Sequence, residues 1–185
     1  MTIWDKNIFL DIWWHVGTYS IRFINHNKNK NVKVYCFEPH PETYKILNKN
    51  IELNNLKDIV IPINKWVFSR TTTVKFIKNL PKDAAVSKIV EDENKNTIDI
   101  ETISIDDFIE QYSIEENKIW FIKIDVEGLE LQVLKWMEGF LKKTKRIKIV
   151  CEILNEEKQV KVFKYLEKFR FKVEKIDNFN YLFYK

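Results

Sequence analysis

The sequence predicts a single α/β domain with a doubly wound, mostly parallel sheet that ends in an antiparallel β-hairpin. Short apolar runs rich in β-branched residues alternate with amphipathic segments. Most runs lack the strict alternation of half-exposed strands, which is typical of parallel strands covered on both faces. A chain of 185 residues is long enough to bury a core, so we expect one domain over residues 1–185.

Five apolar runs are the predicted strands of the parallel part of the sheet: Ile8–Asp11, Val32–Glu38, Ile59–Asn64, Ile119–Asp125 and Arg146–Ile153. Helical spacing of apolar residues recurs in three sets between and after these runs: Tyr44, Leu47 and Ile51; Leu134, Met137 and Leu141; and Val162, Leu166 and Phe169. This alternation predicts repeated strand–helix–strand units.

Shorter signals complete the predicted fold. Thr72–Ile77 and Thr97–Thr102 resemble additional strands on either side of a loop around Pro81. A capping box at Ser104 predicts a short helix through Tyr112. The chain closes with Lys172–Ile176 and Tyr181–Tyr184 around an Asp-Asn-Phe-Asn turn, so one of these final strands must be antiparallel.

Composition excludes several classes of protein. Apolar residues make up 45% of the chain and aromatic residues 14%, which excludes a disordered or fibrous protein. The net charge of +4 comes from interleaved basic and acidic residues and does not indicate a nucleic-acid partner. We expect no membrane partner, because no apolar run approaches the roughly 18 residues of a membrane helix and no signal peptide is evident. Cys36 and Cys151 fall in predicted strands without the spacing of a disulfide framework or a metal site, which predicts reduced packing residues in a cytoplasmic protein.

The residues that close the predicted strands are the candidates for a ligand site, because ligands of open α/β sheets bind outside the carboxyl ends of the strands. Asp11, a turn and then Gly17 form the layout of a loop that cradles a nucleotide. Glu38 ends the second predicted strand, where one carboxylate can accept hydrogen bonds from both hydroxyls of a ribose. Asp125 and Glu127 follow the fourth strand and could serve as a general base, a cation ligand or the partner of an ammonium group.

Two histidines lie on loops on the same side of the predicted sheet. His15 and His40 could each act as a base, since imidazole titrates near neutral pH. A lone histidine in a loop is more often only solvated, so both interpretations stay open.

Four segments together resemble the FkbM-type family of S-adenosylmethionine-dependent methyltransferases: Phe37–Pro41, Asn54–Leu56, Ile105–Phe108 and above all Phe121–Gly128. The resemblance runs in order over nearly the whole chain. It implies a Rossmann-like class I methyltransferase fold, S-adenosylmethionine as the cofactor, and O-methylation of a hydroxyl on a sugar or small natural product.

The resemblance also implies roles for individual residues. Asp11 and Gly17 would frame the methionine end of the cofactor, and Glu38 would hold its ribose. Asp125 and Glu127 would form the catalytic edge. The strand order of such proteins places Ile8–Asp11 beside Ile119–Asp125 at the centre of the sheet.

Tryptophan replaces small residues where this family usually keeps them. Trp13 and Trp14 stand at the first glycine of the first loop and at the small residue after it. Trp66 follows the third predicted strand, and Trp136 replaces a frequent glycine of the helix after the fourth strand. Glycine occurs only 3 times, although average usage would give about 13. The indoles could fill the core, line a remodelled pocket through Trp13 and Trp66, or plug the cofactor cleft.

Three functions therefore remain open from sequence. The first is an active O-methyltransferase with a small-molecule, hydroxyl-bearing acceptor. The second is a non-catalytic or engineered relative whose cleft is filled or remodelled by Trp13, Trp14 and Trp66. An RNA methyltransferase is a weaker third interpretation, because no Asn/Asp-Pro-Pro-aromatic motif follows the fourth strand.

The family commonly carries extra residues ahead of its first strand that can cover the site. Here that strand is predicted to begin at Ile8. We therefore expect either an open cleft or a homo-oligomer in which a second subunit covers it.

Overall fold

A computed structural model of the protein describes residues 7–13, 15–26, 31–77, 97–126 and 128–185. In chain order its strands are β1 (Ile8–Ile12), β2 (Lys33–Phe37), β3 (Val60–Ile63), β4 (Trp66–Val67), β5 (Thr73–Ile77), β6 (Thr97–Ile103), β7 (Ile119–Ile124), β8 (Lys148–Glu152), β9 (Lys172–Lys175) and β10 (Asn180–Tyr184). Its helices are α1 (Thr18–His26), α2 (Pro41–Leu53), α3 (Ile105–Gln111), α4 (Glu130–Trp136), α5 (Glu138–Lys143) and α6 (Glu156–Glu167).

The main sheet has seven strands in the order β3-β2-β1-β7-β8-β10-β9. Strands β3, β2, β1, β7 and β8 pair in parallel, and β10 is antiparallel to both β8 and β9. The predicted central pair is confirmed, since β1 and β7 lie side by side in the middle of this order with Asp11 opposite Lys123. The predicted doubly wound sheet with a final antiparallel hairpin is confirmed as well.

Burial on both faces explains why the strand sequences are apolar without alternation. Along β1, Leu10 and Ile12 face one core, and Phe9 faces the other. Helices α4, α5 and α6 cover the first face, while Leu47 and Ile51 of α2 pack on the second. Successive side chains of a strand point to opposite faces, so every residue of such a strand must be apolar or paired.

A second, smaller sheet has the order β4-β6-β5. Strands β5 and β6 pair antiparallel, which confirms the two additional strands predicted from sequence, whereas the loop around Pro81 lies outside the described residues. Strand β4 pairs in parallel with β6 and was not predicted. Its two residues, Trp66 and Val67, are too short a run to give a strand signal and are recognisable only by their burial.

Local signals set the ends of two helices. The Ser104 hydroxyl accepts a hydrogen bond of 3.0 Å from the backbone N–H of Asp107, as the predicted capping box requires. The apolar set Leu134, Met137 and Leu141 predicted one continuous helix, but the chain forms two. Met137 has φ −97° and ψ 12°, outside the helical well, and this single residue separates α4 from α5.

The two free cysteines lie in β2 and β8, and both are buried. Burial raises the pKa of both thiols, so they are uncharged at neutral pH. The prediction of reduced packing residues is confirmed.

Strands β3 and β9 form the two edges of the main sheet. The carbonyl of Ile59 accepts from Val34 of β2, and that of Ile63 accepts from Glu38 just after β2. The alternate residue Pro62 therefore faces outward. Proline has no N–H to offer there, and its carbonyl accepts from the Tyr44 hydroxyl at 3.4 Å. All four side chains of β9 are exposed, including those of Lys172 and Lys175.

The cap at Ser104 is expected to contribute measurably to stability. Ser104→Ala should lower the free energy of unfolding by about 1 kcal/mol, because an N-terminal N–H of α3 loses its partner. Urea denaturation measures this change. Ser104→Asn is the matched control and should stay within a few tenths of a kcal/mol of wild type, since asparagine also caps. Equal losses in both variants would contradict the cap.

Candidate functional site at the carboxyl ends of the central strands

Asp11 is the first element of the site and comes from the end of β1. Its side chain is 1% exposed, and Oδ2 accepts a short hydrogen bond from the buried Ser20 hydroxyl of α1. The other oxygen, Oδ1, is buried and has no hydrogen-bond partner among the described residues. One oxygen is therefore anchored, while the other is an acceptor without a donor.

The charge of Asp11 is balanced between burial and a nearby cation. Burial raises the pKa of this carboxyl to about 6, although the ammonium of Lys123 on the neighbouring strand opposes the rise. Lys123 is itself only 7% exposed, and its Nζ lies 2.8 Å from Oδ2 of Asp125 and 4.9 Å from the centre of the Tyr19 ring. Asp11, Lys123 and Asp125 thus form one charged cluster at the centre of the sheet, in which Asp11 and Lys123 are buried and Asp125 is half-buried.

The loop that follows β1 is built from unusual backbone conformations. Trp13, His15 and Gly17 all have positive φ, at 70°, 54° and 93°. Glycine adopts this conformation without steric cost, whereas the Cβ of Trp13 strains it. The resemblance to the family places a glycine at position 13. The backbone at this position has the positive φ that favours glycine, although the residue is a tryptophan. Trp14 lies outside the described residues.

Glu38 follows β2 and is 2% exposed. Its Oε1 accepts from the backbone N–H of His40 at 2.8 Å, and its Oε2 is buried without a hydrogen-bond partner among the described residues. Burial raises the pKa of this carboxyl to about 8, despite the opposing effect of the N–H groups of His40 and His15. Asn64 donates to the carbonyl of Glu38 at 2.8 Å and holds the turn after the strand.

An aromatic cluster connects the loop after β1 with the small sheet; its members are Trp13, Trp66, Phe68, Phe76 and Trp136. Trp66 is the hub, with ring-centre distances of 5.8 Å to Trp13, 6.1 Å to Phe68 and 5.7 Å to Phe76. Phe68 continues the chain of rings to Trp136 at 4.6 Å. Trp66 is 2% exposed, and its Nε1 has no acceptor among the described residues. The half-buried Trp13 thus packs against the core of the small sheet.

Asp125 follows β7 and lies at the same edge as Asp11 and Glu38. Burial alone would raise its pKa, but Lys123, a hydrogen bond from Glu152 and the nearby His15 together hold it below the usual range. Glu152 ends β8, and its pKa is raised to about 7, first by that hydrogen bond and then by burial. The pair therefore gains or loses one proton near neutral pH, and that proton resides on Glu152.

A glycine turn completes this edge. Gly128 has φ 105°, and its N–H donates to Oε1 of the buried Glu130 at 2.6 Å. This positive φ favours glycine, whereas the side chain of another residue here would only displace the flexible end of the exposed Lys158. Burial raises the pKa of Glu130. Of the chain's three glycines, two therefore serve positive-φ turns beside the site.

The structure brings most of the residues predicted from sequence into one site. The pKa of Asp11 responds to Asp125, that of Asp125 to His15, and that of Glu38 to the His15 backbone, so these four groups are electrostatic neighbours. Gly17 forms part of the same loop. Among the predicted residues, Trp66 lies in the core of the small sheet and reaches the loop through Trp13, and Glu127 lies outside the described residues.

Three residues of the site were missed from sequence. Glu152 is the penultimate residue of the predicted strand Arg146–Ile153 and ends the observed β8, so the strand-end argument that selected Glu38 extends to it. Lys123 is a lone charge inside an apolar central strand, which is a signal of a buried ionic partner. Glu130 had no signal, because an acidic residue near a helix start is common.

The sheet order, the helices on both faces, the final antiparallel hairpin and polar groups gathered at the carboxyl ends of the central strands define a Rossmann-like class I methyltransferase fold. The chain belongs to the FkbM methyltransferase family, since the model of the Methyltransferase FkbM domain matches residues 11–181.

Two curated relatives share about a quarter of the aligned residues with this chain. The chain is 26% identical over 137 residues to the hexuronic acid methyltransferase AglP of Haloferax volcanii, covering 74% of this chain and 52% of that protein. It is 25% identical over 151 residues to Methyltransferase sdnD of Sordaria araneosa, covering 67% and 58%. The chain thus spans somewhat over half the length of these curated relatives.

A solved structure shares the fold. The crystal structure of a methyltransferase FkbM from Methylobacillus flagellatus KT aligns with 98% of this chain and 44% of its own, at a TM-score of 0.65 and 17% identity.

None of the helices in the described parts of the chain has both the length and the apolar character needed to cross a bilayer.

The left-handed backbone at position 13 can be tested by two substitutions that remove the same indole. Trp13→Gly and Trp13→Ala both lose the contact with Trp66, but only alanine retains a Cβ at φ 70°. We expect the glycine variant to be more stable than the alanine variant by about 1 kcal/mol in urea denaturation. Equal stability of the two variants would contradict a left-handed conformation in solution.

Burial of Glu38 predicts a pH dependence of stability. Because its pKa is raised to about 8 in the folded chain, the folded state binds more protons than the unfolded state above about pH 4.5. Its contribution is fully present below that pH and is lost as the pH rises through about 8, with a slope of at most about 1.4 kcal/mol per pH unit.

The measurement is urea denaturation from about pH 5 to about pH 8. Wild type should lose stability with rising pH more steeply than Glu38→Gln, which has no titrating group there. The difference between the two curves removes the titration of the other carboxyls. Parallel curves would show that Glu38 is not buried in this way.

Proposed function

We propose that the chain is an S-adenosylmethionine-dependent O-methyltransferase that acts on a hydroxyl of a sugar or small natural product. The observation that carries this proposal is the pair of buried carboxyls at the ends of β1 and β2. Asp11 and Glu38 each hold one oxygen in an internal hydrogen bond and present another without a partner among the described residues. Such orphaned acceptors are costly unless a ligand satisfies them.

These acceptors match the donors of the cofactor. A ribose offers two hydroxyl donors, and the methionine end offers an ammonium. Glu38 would hold the ribose, with Oε1 fixed by the backbone and Oε2 free to accept. Asp11, anchored by Ser20, would frame the methionine end together with the turn at Gly17. When bound, the cofactor supplies an electrophilic methyl group.

Asp125 and His15 are the candidates for the edge at which an acceptor hydroxyl would be deprotonated. An alkyl hydroxyl is a poor nucleophile until a base removes its proton. Lys123 fixes Asp125 at 2.8 Å, and the exposed His15 lies close enough to act on that carboxyl. Glu127 stays a further candidate for the same edge.

The acceptor class is taken from the relatives and from the family. One relative is named a hexuronic acid methyltransferase, which supports a sugar hydroxyl as the acceptor. Because this chain spans somewhat over half the length of that protein, its acceptor is part of the proposal. A second copy of the chain that covers the cleft belongs to the proposal as well.

A second candidate function is a methyltransferase fold whose cleft no longer admits the cofactor. The specific observation in its favour is the strained, half-buried Trp13, which packs edge to face on Trp66 beside the loop. Burial of aromatic surface stabilises a fold at about 25 cal/mol per Å². Such packing would be retained for stability if the site had lost its ligand.

Binding of S-adenosylhomocysteine tests the cofactor site without an acceptor. At about pH 8.5, where Glu38 is ionised, we expect wild type to bind and Glu38→Gln to bind about 10 to 100 times more weakly, because a charge-assisted hydrogen bond of about 1.5–3 kcal/mol is lost. Wild-type affinity should also rise about tenfold from about pH 6.5 to about pH 8.5, since ionised Glu38 accepts stronger hydrogen bonds from the hydroxyls of the ligand. Titration calorimetry measures both effects.

Glu42→Gln is the matched control. It removes an exposed carboxylate four residues away, on the first turn of α2, and should change affinity by less than about twofold. Equal binding by wild type and Glu38→Gln would remove Glu38 from the site. No binding by wild type, with binding by Trp13→Gly, would replace the proposed function with the blocked cleft.

A further inference from the structure

Two carboxyls meet at the ends of neighbouring central strands. Ile124 of β7 pairs with Cys151 of β8, so the next residues along the two parallel strands are Asp125 and Glu152. Interaction between the two carboxyls raises the pKa of Glu152 and lowers that of Asp125, as expected for neighbours that share a proton. This contact lies at the same edge of the sheet as the acceptors of Asp11 and Glu38.

The charges around the pair separate its two members. Lys123 contacts Asp125 at 2.8 Å, and His15 acts on it from the loop after β1, so Asp125 keeps its negative charge. Glu152 faces Asp125 and, from the β9–β10 turn, Asp177, whose negative charges disfavour its ionisation, while Lys123 acts in the opposite direction. Below about pH 7 Glu152 therefore holds a proton shared with Asp125, and above that pH Glu152 is ionised and can accept one.

The side chains of Lys123, Asp125 and Glu152 also differ in their exposure to solvent. Lys123 is buried, whereas Asp125 and Glu152 are half-buried. Asp125 is already paired with a cation, which makes it a weak base. Glu152, with a pKa of about 7, has the basicity that suits proton removal near neutral pH.

We propose that Glu152 is a catalytic residue that accepts the proton of the acceptor hydroxyl, with Asp125 as its proton-sharing partner and Lys123 as the positioning residue. This inference rests on the proposed methyl transfer and adds its base. The acceptor oxygen forms a bond to the methyl carbon while the bond from that carbon to sulfur breaks, and sulfur keeps the electron pair. The O–H bond of the acceptor breaks, and its proton passes to Glu152.

The shared proton can be tested without any acceptor. Carboxyl-detected NMR of selectively labelled protein follows the titration of Glu152 in wild type and in Asp125→Asn. We expect Glu152 to titrate near pH 7 in wild type and about one pH unit or more lower in the variant, because a negative neighbour has been removed. Titration of wild-type Glu152 at the usual value of a glutamate overturns the proposal.

Turnover supplies the second readout. Methyl β-D-glucuronoside and methyl β-D-glucoside are the probe acceptors, and release of S-adenosylhomocysteine is measured at saturating cofactor. We expect Glu152→Gln to lower kcat about 100-fold or more while S-adenosylhomocysteine affinity stays within about twofold of wild type. The wild-type kcat should rise with pH through about 7 as Glu152 becomes ionised.

Glu156→Gln is the matched control, since it removes an exposed carboxylate four residues further along the chain. It should retain wild-type kcat and cofactor affinity. A Glu152→Gln variant that keeps kcat within about threefold of wild type overturns the proposal. A third outcome is that wild type binds the cofactor and Glu152 titrates near pH 7, but neither probe is methylated. This result supports the carboxyl pair and contradicts a sugar as the acceptor. Loss of cofactor binding in wild type contradicts the proposed function instead.

Discussion

The buried ammonium of Lys123 is the interaction on which the polar edge of the sheet depends. It sits in the central strand β7, opposite Asp11 of β1 and 2.8 Å from Asp125. Without this cation, the buried Asp11 and the half-buried Asp125 would repel each other, and desolvation of Asp11 would be uncompensated. The lysine therefore permits acidic groups to gather at the carboxyl ends of the central strands, where an α/β sheet binds its ligand.

The backbone conformation of the turns is the second constraint, since two glycines and one tryptophan have positive φ values. Gly17 and Gly128 take the positive φ values that their turns require, whereas Trp13 takes a similar value at a steric cost. Contact with Trp66 holds the indole in place and compensates for that cost. The loop after β1 is thus fixed from two sides, by hydrogen bonding at Asp11 and by aromatic packing at Trp13.

Most of the sheet was predictable because parallel strands buried on both faces must be apolar throughout, and the strand-end argument then located Glu38 and Asp125. The same argument extends to Glu152, which the sequence analysis overlooked. Packing was harder to predict. The burial of Trp66 depends on pairing between β4 and β6, residues far apart in the chain, and the partners of Lys123 depend on the register of β1 and β7. Pairing and register are tertiary properties that local patterns do not encode.

The two edges of the main sheet have a consequence for the behaviour of the protein at high concentration. At β3, outward-facing Pro62 offers no N–H, and its carbonyl already accepts from Tyr44. At β9, all four side chains are exposed, and three of them, Lys172, Glu174 and Lys175, are charged. Unprotected edge strands are templates for open-ended aggregation, and each edge here is blocked by a different chemistry. Crowding should therefore not drive strand-by-strand growth of this sheet into fibres.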